Sequence, residues 1–423
     1  MKNFVLKGDL CWSRDPQHLE SRKNGYLVCE NGVSAGVYET LPEKYSAYPL
    51  LDYAGKLILP GFTDLHAHAP QYRYRALGMD LELLEWLDTH TFPQEALYQD
   101  TAHARKNYAR FVEEMRKGPN TRGCIFGTIH RESTEILMEL LEESGLAAMV
   151  GKVNMDRHSP DILREGTEES AEETIRWIQE VQGKYPHVTP ILTPRFLPSC
   201  TDALLEKLGK IQKKFHIPVQ SHLSENRSEV AWVQELFPQS KNYGDAYDHF
   251  GLFGGENCPT IMAHCVLSDD AEIALMKERG VFIAHCPESN TNLASGIAPV
   301  RRYLSEEIPM GLGSDIAGGT RCSLFYAMAE AIRVSKLRWR LVDDRLAPLT
   351  IPEAFYLATK GGGAFFGKVG SFEEGYLLDA FVLDDSRYDN IGEYTIAERL
   401  ERAIYLSEDN EVCHKFVEGR QLF

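Results

Sequence analysis

The sequence predicts an α/β protein in which a (β/α)8 barrel of the TIM type carries a small β-sandwich domain built from both chain ends. The barrel is predicted because eight short apolar runs alternate with amphipathic helical stretches, and several of these runs end in histidine or aspartate. The sandwich is predicted because both ends are rich in strand-forming residues punctuated by Gly and Asn. The predicted division is residues 1–57 with 370–423 for the small domain and 58–369 for the barrel.

Each chain end contributes segments with strand character. The first end contains FVLKGDLCWS, GYLVCENGVSAGVYE and LLDYAGKLIL, and the last end contains GYLLDAFVLDD and EVCHKFVEGRQLF. Either group alone is too short to bury a core, so we expect the two groups to pack together.

The central region shows a different rhythm. Its apolar runs are, in chain order, ILPGFTDLH, CIFGTIH, LAAMVGKVNM, VTPILTP, IPVQSH, TIMAH, GVFIAH and PMGLGSD. Stretches with apolar residues at helical spacing separate them, for example residues 134–145 and 169–185. Strands that alternate with helices predict a parallel sheet, and eight such units are the number that a (β/α)8 barrel needs.

Length, charge and cysteine content limit the class of protein. A chain of 423 residues accommodates a barrel of about 250 residues and a smaller second domain. The net charge of −17 disfavours nucleic acid and anionic membrane as partners. Nine scattered cysteines without a CxxC pair indicate a reducing compartment. Because no signal peptide or membrane-spanning stretch is visible, we expect a cytoplasmic protein.

Five side chains at the ends of the apolar runs are candidate metal ligands. They are His66, His68, His222, His264 and Asp315. A strand alternates its side chains, so the HxH pair points one way, and the C-terminal strand ends of a barrel meet at one face. A lone HxH pair is more often part of a core, but five such groups at matching strand ends favour a divalent metal with an open position. The pattern predicts metal-activated water and a hydrolytic reaction.

Glu225 follows His222 by three residues, which places a carboxylate above the predicted metal. We interpret it as a proton shuttle, and the alternative is a solvent-facing glutamate at a helix start with Ser224 as N-cap. The fourth run is followed by Arg195, which cannot bridge two metals because it stays protonated, so one metal is expected.

Other features near the strand ends have less specific interpretations. His285 also ends a run and is interpreted as structural or as a support for the ligands, because the ligand set is full without it. Cys265 and Cys286 are expected to be buried, inert thiols that face away from the site. The Leu-rich stretch 80–90 is predicted either to fold over the pocket or to pack in the core, with no preference.

Several motifs extend this pattern along nearly the whole chain. They include PGFTDLHAHAPQY, LLEWLDTHTFPQEA, TPRF, SHLSENRSEV, IAHCPESN and GLGSDIAGG. Together they resemble the amidohydrolase superfamily and, within it, the guanine deaminases. HxH and GSD belong to the whole superfamily, whereas HAPQ, TFPQE and TPRF are more specific. The chain contains no P-C-x-x-C motif, which the unrelated nucleobase-deaminase fold needs together with H-x-E.

The resemblance implies roles for individual residues. One zinc ion per chain, with iron as an alternative, is implied to bind His66, His68, His222 and Asp315. The implied catalytic residues are Glu225 as proton shuttle, His264 as the residue that holds the attacking water, and Asp315. The implied purine-binding residues are Gln71, Arg195, Phe196, His222 and Glu225.

The resemblance also implies an activity: hydrolysis of guanine to xanthine and ammonia in purine catabolism, by a homodimer. The alternatives are deamination of another aminated heterocycle, such as 8-oxoguanine, a pterin or a triazine, and a non-catalytic scaffold on a barrel fold. Thr320 stands where family members often carry Tyr, which leaves detail of the substrate pocket open.

Overall fold

The computed structural model describes residues 3–388 and 392–423. The strands at the first chain end are β1 (Phe4–Asp15), β2 (His18–Glu30), β3 (Val33–Tyr38) and β4 (Leu50–Pro60). The central strands are β5 (Phe62–His68), β6 (Asn120–Phe126), β7 (Ala147–Gly151), β8 (Val153–Asn154), β9 (Val188–Pro190), β10 (Thr193–Pro194), β11 (Val219–Leu223), β12 (Thr260–His264), β13 (Phe282–His285) and β14 (Met310–Leu312). The strands at the last chain end are β15 (Ala380–Leu383), β16 (Val412–Val417) and β17 (Arg420–Gln421).

Helices follow most of the central strands. The α-helices are α1 (Leu83–Trp86), α2 (Phe92–Glu95), α3 (Thr101–Lys117), α4 (Arg131–Ser144), α5 (Thr167–Val181), α6 (Asp202–Phe215), α7 (Arg227–Leu236), α8 (Tyr243–His249), α9 (Asp270–Arg279), α10 (Pro287–Asn292), α11 (Val300–Ser305), α12 (Leu324–Leu341), α13 (Ile351–Tyr356) and α14 (Ile396–Leu406). Two π-helical segments lie at Leu87–Thr91 and Leu357–Gly361. Within residues 3–388 and 392–423, no helix is long and apolar enough to cross a membrane.

The central strands form two parallel four-stranded sheets. Their orders are β5-β6-β7-β9 and β11-β12-β13-β14. Leu192 joins them at one seam through backbone hydrogen bonds with Pro218 and Gln220, each 2.9 Å long. At the other seam, the Asp315 N–H donates to the His66 carbonyl at 2.8 Å. All eight predicted runs lie on these strands, so the barrel architecture predicted from the sequence is confirmed.

The third and fourth strands of the barrel are each interrupted. Strands β7 and β8 form the third, and strands β9 and β10 form the fourth. A side chain at Gly151 would place its Cβ 1.7 Å from Thr193 Oγ1, so only glycine permits this close approach. Pro190 and Pro194 end the two fourth-position segments and have no N–H to donate to the sheet.

Strands from both chain ends form one seven-stranded sheet, in the order β17-β16-β15-β4-β1-β2-β3. Strands β1 and β16 are separated by two others, which would place them about 14 Å apart in a flat sheet. Yet the ring centroids of Phe4 on β1 and Phe416 on β16 are 5.3 Å apart. The sheet therefore folds over itself around an apolar core, as the predicted sandwich requires.

The predicted domain division remains a proposal. Strand β4 runs to Pro60, three residues beyond the first predicted boundary, and Gly61 leads directly into the barrel. The sequence predicts only strands at the last chain end, but helix α14 also lies there. Its capping box, in which Thr395 and Glu398 bond to each other's backbone N–H, begins an apolar stripe that contacts α12 and β1.

Buried charges join the terminal sheet to the barrel. Arg122 on β6 donates from Nε to Asp379 Oδ2 at 2.6 Å and from Nη2 to Glu418 Oε1 at 2.9 Å. Lys415 on β16 is fully buried, and its Nζ donates to the Met115 and Asn120 carbonyls, each at 2.8 Å. These contacts fix the sheet against the N-terminal end of the barrel, opposite the predicted site.

Candidate active site

The five predicted metal-binding side chains converge at the C-terminal end of the barrel. His66 and His68 end β5, His222 lies in β11, His264 ends β12, and Asp315 follows β14 by three residues. Four of the five residues are at most 5% exposed, and His222 is partly buried. Convergence of residues from four separate strands is the outcome that the barrel prediction required.

Four of the spacings between the ligand atoms match those of neighbouring ligands on one metal ion. His68 Nε2 is 3.2 Å from both His66 Nε2 and His222 Nε2. Asp315 Oδ1 is 3.3 Å from His66 Nε2 and 3.5 Å from His68 Nε2. A tetrahedral site with bonds of about 2.0–2.1 Å places neighbouring ligand atoms about 3.3–3.4 Å apart. The measured spacings scatter around that value.

The protonation of these residues also suits a metal. Burial lowers the pKa of His68 and of His222, so both imidazoles are neutral and retain a lone pair. His222 Nδ1 lies 2.6 Å from the Arg195 carbonyl and must donate to it, which leaves Nε2 free to bind. Burial opposes ionisation of Asp315, yet the adjacent His66, His264 and His68 outweigh it and hold the pKa of this carboxyl below its usual range.

Two of the five residues have left-handed backbone conformations. His264 has φ of +74° and Asp315 has φ of +45°, and neither is glycine. Such conformations cost about 1–3 kcal/mol each and persist where the surrounding structure over-determines them. Here the turns at the strand ends bring the side chains inward, and His264 Nδ1 is held 2.8 Å from Asn290 Oδ1.

Glu225 faces the metal cluster and not solvent, so the alternative of a helix-start glutamate is wrong. Its Oε2 lies 3.4 Å from His264 Nε2, and Ser295 Oγ donates to its Oε1 at 3.1 Å. The N-cap of α7 is Asn226, one residue after Glu225, whereas Ser224 donates to Glu272 on α9. Burial, reinforced by the charge of Asp315, raises the pKa of Glu225 to about 8.

Glu229 supports the Glu225 loop. Its Oε2 accepts the backbone N–H of Glu225 at 3.0 Å and that of Asn226 at 3.2 Å. Its Oε1 accepts the Tyr243 hydroxyl at 2.8 Å. Glu229 is fully buried, so these contacts hold the backbone that carries the Glu225 carboxyl.

A cavity opens onto the cluster, and His68, His222, His264 and Asp315 line its floor together with Glu225. Apolar walls come from Leu83, Trp86, Leu87, Phe196 and Leu293. Leu83, Trp86 and Leu87 of the Leu-rich stretch 80–90 line the cavity and also pack in the main apolar core, so each of the two alternatives left by the sequence holds in part.

Gln71 and Arg195 line the cavity, but both are anchored from behind by Glu95. Arg195 Nη1 donates to Glu95 Oε2 at 2.6 Å, and Nη2 donates to Glu95 Oε1 at 3.1 Å. Gln71 Nε2 donates to Glu95 Oε1 at 2.8 Å, and Gln71 Oε1 accepts the Ala317 N–H at 3.1 Å. Two N–H groups of Arg195, which the sequence predicts to bind a purine, therefore donate to a protein carboxylate.

The remaining sequence hypotheses concern residues beside the cluster. His285 is buried at the end of β13, lies outside the groups of candidate ligands, and has its pKa lowered by burial to about 3. Cys265 and Cys286 are buried, and burial raises the pKa of both thiols. Cys286 packs with Ala284 in the barrel interior below the cluster, so the expectation that it faces away is wrong: β13 alternates, and His285 takes the outward position. Thr320 donates to Glu288 and does not line the cavity.

Sequence reasoning did not identify Glu95, Glu229, Asn290 and Ser295. Glu95 lies in the TFPQE motif, whose specificity was noted without a role for the glutamate. The S/T/N-x-x-E capping signal marks Glu229, because Asn226 precedes it by three residues. Asn290 ends the IAHCPESN motif, which was noted without a role for the asparagine, and Ser295 lies beyond the motif and carries no local signal.

Comparison with known proteins places this arrangement among metal-dependent hydrolases and their relatives. Residues 57–422 match the amidohydrolase family model. Guanine deaminase from Dictyostelium discoideum is 40% identical over 381 residues, covering 88% of this chain and 84% of the relative. The Mus musculus guanine deaminase is 40% identical over 384 residues, covering 87% and 83%. The crystal structure of guanine deaminase from C. acetobutylicum, with guanine bound in its active site, has 46% identity and a TM-score of 0.97, covering 100% of both chains.

Proposed function

Because this chain belongs to the amidohydrolase family, we propose that it is a zinc-dependent guanine deaminase that converts guanine and water to xanthine and ammonia in purine catabolism. One observation carries the proposal: the same cavity brings together a cluster of candidate metal ligands, a buried acid and the Gln71–Arg195 pair. A cavity of this composition suits a flat, polar-edged heterocycle. The guanine deaminases with 40–46% identity support the choice of substrate.

We assign one metal to His66, His68, His222 and Asp315. Three imidazoles and one carboxylate form a typical zinc ligand set, and iron is the alternative. When bound, the ion supplies Lewis-acid chemistry that makes water a nucleophile at neutral pH. A second ion would need a bridging ligand at the fourth strand, where Arg195 cannot serve because it has no acceptor atom.

The remaining steps belong to the side chains of this chain. Asp315 and His264, whose Oδ2 and Nε2 atoms are 3.7 Å apart, hold the water, and Asp315 accepts its proton. The water oxygen attacks C2 of guanine while Glu225 donates its proton to the adjacent N3. The proton on Asp315 is transferred to the amino nitrogen, the bond from C2 to this nitrogen breaks, and ammonia leaves. The proton of the new C2 hydroxyl returns to Glu225, which leaves the C2 carbonyl of xanthine. A raised pKa, to about 8, keeps Glu225 in the acid form that this donation needs.

Gln71, Arg195 and Phe196 orient the ring, together with His222 and Glu225. Gln71 and Arg195 supply polar contacts to the purine edge, and Phe196 supplies part of the apolar wall. We assign the C6 carbonyl to an Arg195 N–H.

Two wider properties complete the proposal. All nine cysteines are free thiols, which supports the reducing cytoplasm as the compartment. Exposed apolar side chains at the end of α12, Leu337, Leu341 and Val342, support a homodimer. Analytical ultracentrifugation of the purified protein tests that state, and a monomer across the micromolar range would contradict it.

Ammonia release tests the activity directly. The zinc-loaded protein is incubated with guanine, 8-oxoguanine, a pterin and an amino-triazine, and kcat/KM is measured for each. We expect guanine to give the highest value. A higher value for another heterocycle would reassign the substrate, and no release from any of them would contradict the deaminase proposal.

A further inference from the structure

Glu95 lies behind the polar wall of the cavity and contacts both residues that form it. Its side chain is 3% exposed, as is that of Arg195, and it is separated from the cavity by Gln71 and Arg195. Phe92, one helical turn earlier, packs with its ring centroid 5.2 Å from the Arg195 guanidinium carbon. The guanidinium is thus held on two sides without any contribution from substrate.

The contacts of Glu95 determine which donors remain for a ligand. A guanidinium carries five N–H groups, and two of those of Arg195 are committed to Glu95, which leaves three. Gln71 gives one of its two N–H groups to Glu95 and one oxygen lone pair to the Ala317 N–H. One N–H and one lone pair of Gln71 remain.

Glu95 also fixes the orientation of the Gln71 amide. An ionised carboxylate only accepts hydrogen bonds, and a backbone N–H only donates them. The amide nitrogen of Gln71 must therefore face Glu95, and its oxygen must face Ala317. Rotation of the amide by 180° would place oxygen against carboxylate and N–H against N–H, leaving buried polar groups unpaired.

We propose that Glu95 is a positioning residue that sets the purine specificity of this enzyme by locking Gln71 and Arg195 into one donor–acceptor pattern. The inference rests on the proposed guanine deaminase function, because it assigns the locked groups to the purine edge. When Gln71 and Arg195 are held in this pattern, they bind a ring with an oxygen at C6 more tightly than a ring that lacks it. Without the hydrogen bonds to Glu95, the Gln71 amide rotates and the Arg195 side chain loses its fixed direction. The pocket then discriminates less between purines with and without an oxygen at C6.

The test compares guanine with 2-aminopurine, which carries the reacting amino group but lacks the C6 oxygen. In Glu95→Gln the shape is kept, but the new amide presents an N–H to groups that need acceptors. We expect the guanine KM to rise about tenfold or more and the ratio of kcat/KM for guanine over 2-aminopurine to fall about tenfold. If 2-aminopurine is not turned over, its inhibition constant replaces its KM. A purely structural role would reduce the active fraction equally for both substrates and leave the ratio unchanged.

Two further variants complete the design. Glu95→Asp keeps the charge and the acceptor-only chemistry but is one methylene group shorter, so it cannot reach both Gln71 and Arg195 as Glu95 does. Its ratio should stay above that of Glu95→Gln and below the wild-type value. Glu353→Gln is the matched control, because Glu353 is a buried glutamate paired with both Nη atoms of Arg301 far from the cavity. It should leave the ratio at the wild-type value. Zinc content is measured for every variant.

The outcomes separate the two proposals. A wild-type ratio in Glu95→Gln, or in Glu95→Asp if the first variant does not fold, overturns the positioning role while leaving the deaminase function intact. Failure of the wild-type protein to release ammonia from guanine contradicts the function itself. The inference is supported if the ratio falls in Glu95→Gln, falls less in Glu95→Asp and stays at the wild-type value in Glu353→Gln.

Discussion

Replacing Arg122 with Met tests how strongly the terminal sheet is fixed to the barrel. Arg122 makes three charge-assisted hydrogen bonds, two to Asp379 at 2.6 and 3.3 Å and one to Glu418 at 2.9 Å. The Asp379 side chain is fully buried. Without Arg122, its carboxylate would keep one hydrogen bond, 2.8 Å long, from the Glu418 N–H. Removing one partner of a buried ion pair typically costs about 3–5 kcal/mol, and we expect Arg122→Met to lower the free energy of unfolding by about that amount.

Urea unfolding followed by circular dichroism measures the effect through the shift of the midpoint. The double variant Arg122→Met with Asp379→Leu should recover most of the loss, because no charge is then left buried alone. Arg345→Met is the exposed control: its partner is Asp343, its side chain is 83% exposed, and its loss should cost less than about 1 kcal/mol. If Arg122→Met stays within about 1 kcal/mol of the wild-type protein, the buried pair does not stabilise the junction and the reasoning fails.

Three further predictions follow from the site and the termini. Glu225→Gln keeps shape but cannot donate a proton, so kcat should fall about 10²–10⁴-fold with zinc content unchanged; near-native turnover would exclude the shuttle. Elemental analysis should find about one zinc or iron per chain, because four protein ligands surround one position, and two tightly held ions would contradict this. Deletion of the last fifty residues removes β15–β17 nearly entirely and exposes the edge of β4, so the product should be insoluble; a soluble and active truncation would exclude the shared domain.

The barrel and the convergence of the candidate metal ligands could be predicted from the sequence because each depends on a local pattern. The alternation of apolar runs with helical stretches is repeated eight times, and a histidine or aspartate at a strand end has only one face of a barrel to occupy. His66, His68, His222, His264 and Asp315 were therefore found without knowledge of tertiary contacts.

The second layer of the site could not be predicted in the same way. Glu95 acts on Arg195 across 100 positions of sequence, and Ser295 bonds to Glu225 across 70 positions. No spacing rule connects such pairs, because the contact is created by the packing of loops that follow different strands. The contact between Arg195 and Glu95 could not be predicted for this reason: an arginine can donate several hydrogen bonds, but only its neighbours in the folded chain determine which groups accept them.

The seven-stranded terminal sheet has a consequence for biosynthesis. Strand β4 pairs with β15 along Leu57–Pro60, yet Ala380, the partner of Pro60, lies 320 positions further along the chain. At a translation rate of about 5–20 residues per second, this edge of β4 waits roughly 16–65 s for its partner. During that time an apolar strand with unpaired backbone groups is exposed, which is the kind of surface that chaperones bind and that aggregation begins from. We therefore expect the yield of folded enzyme in a cell to depend on how this strand is shielded until the ribosome has released the last forty residues.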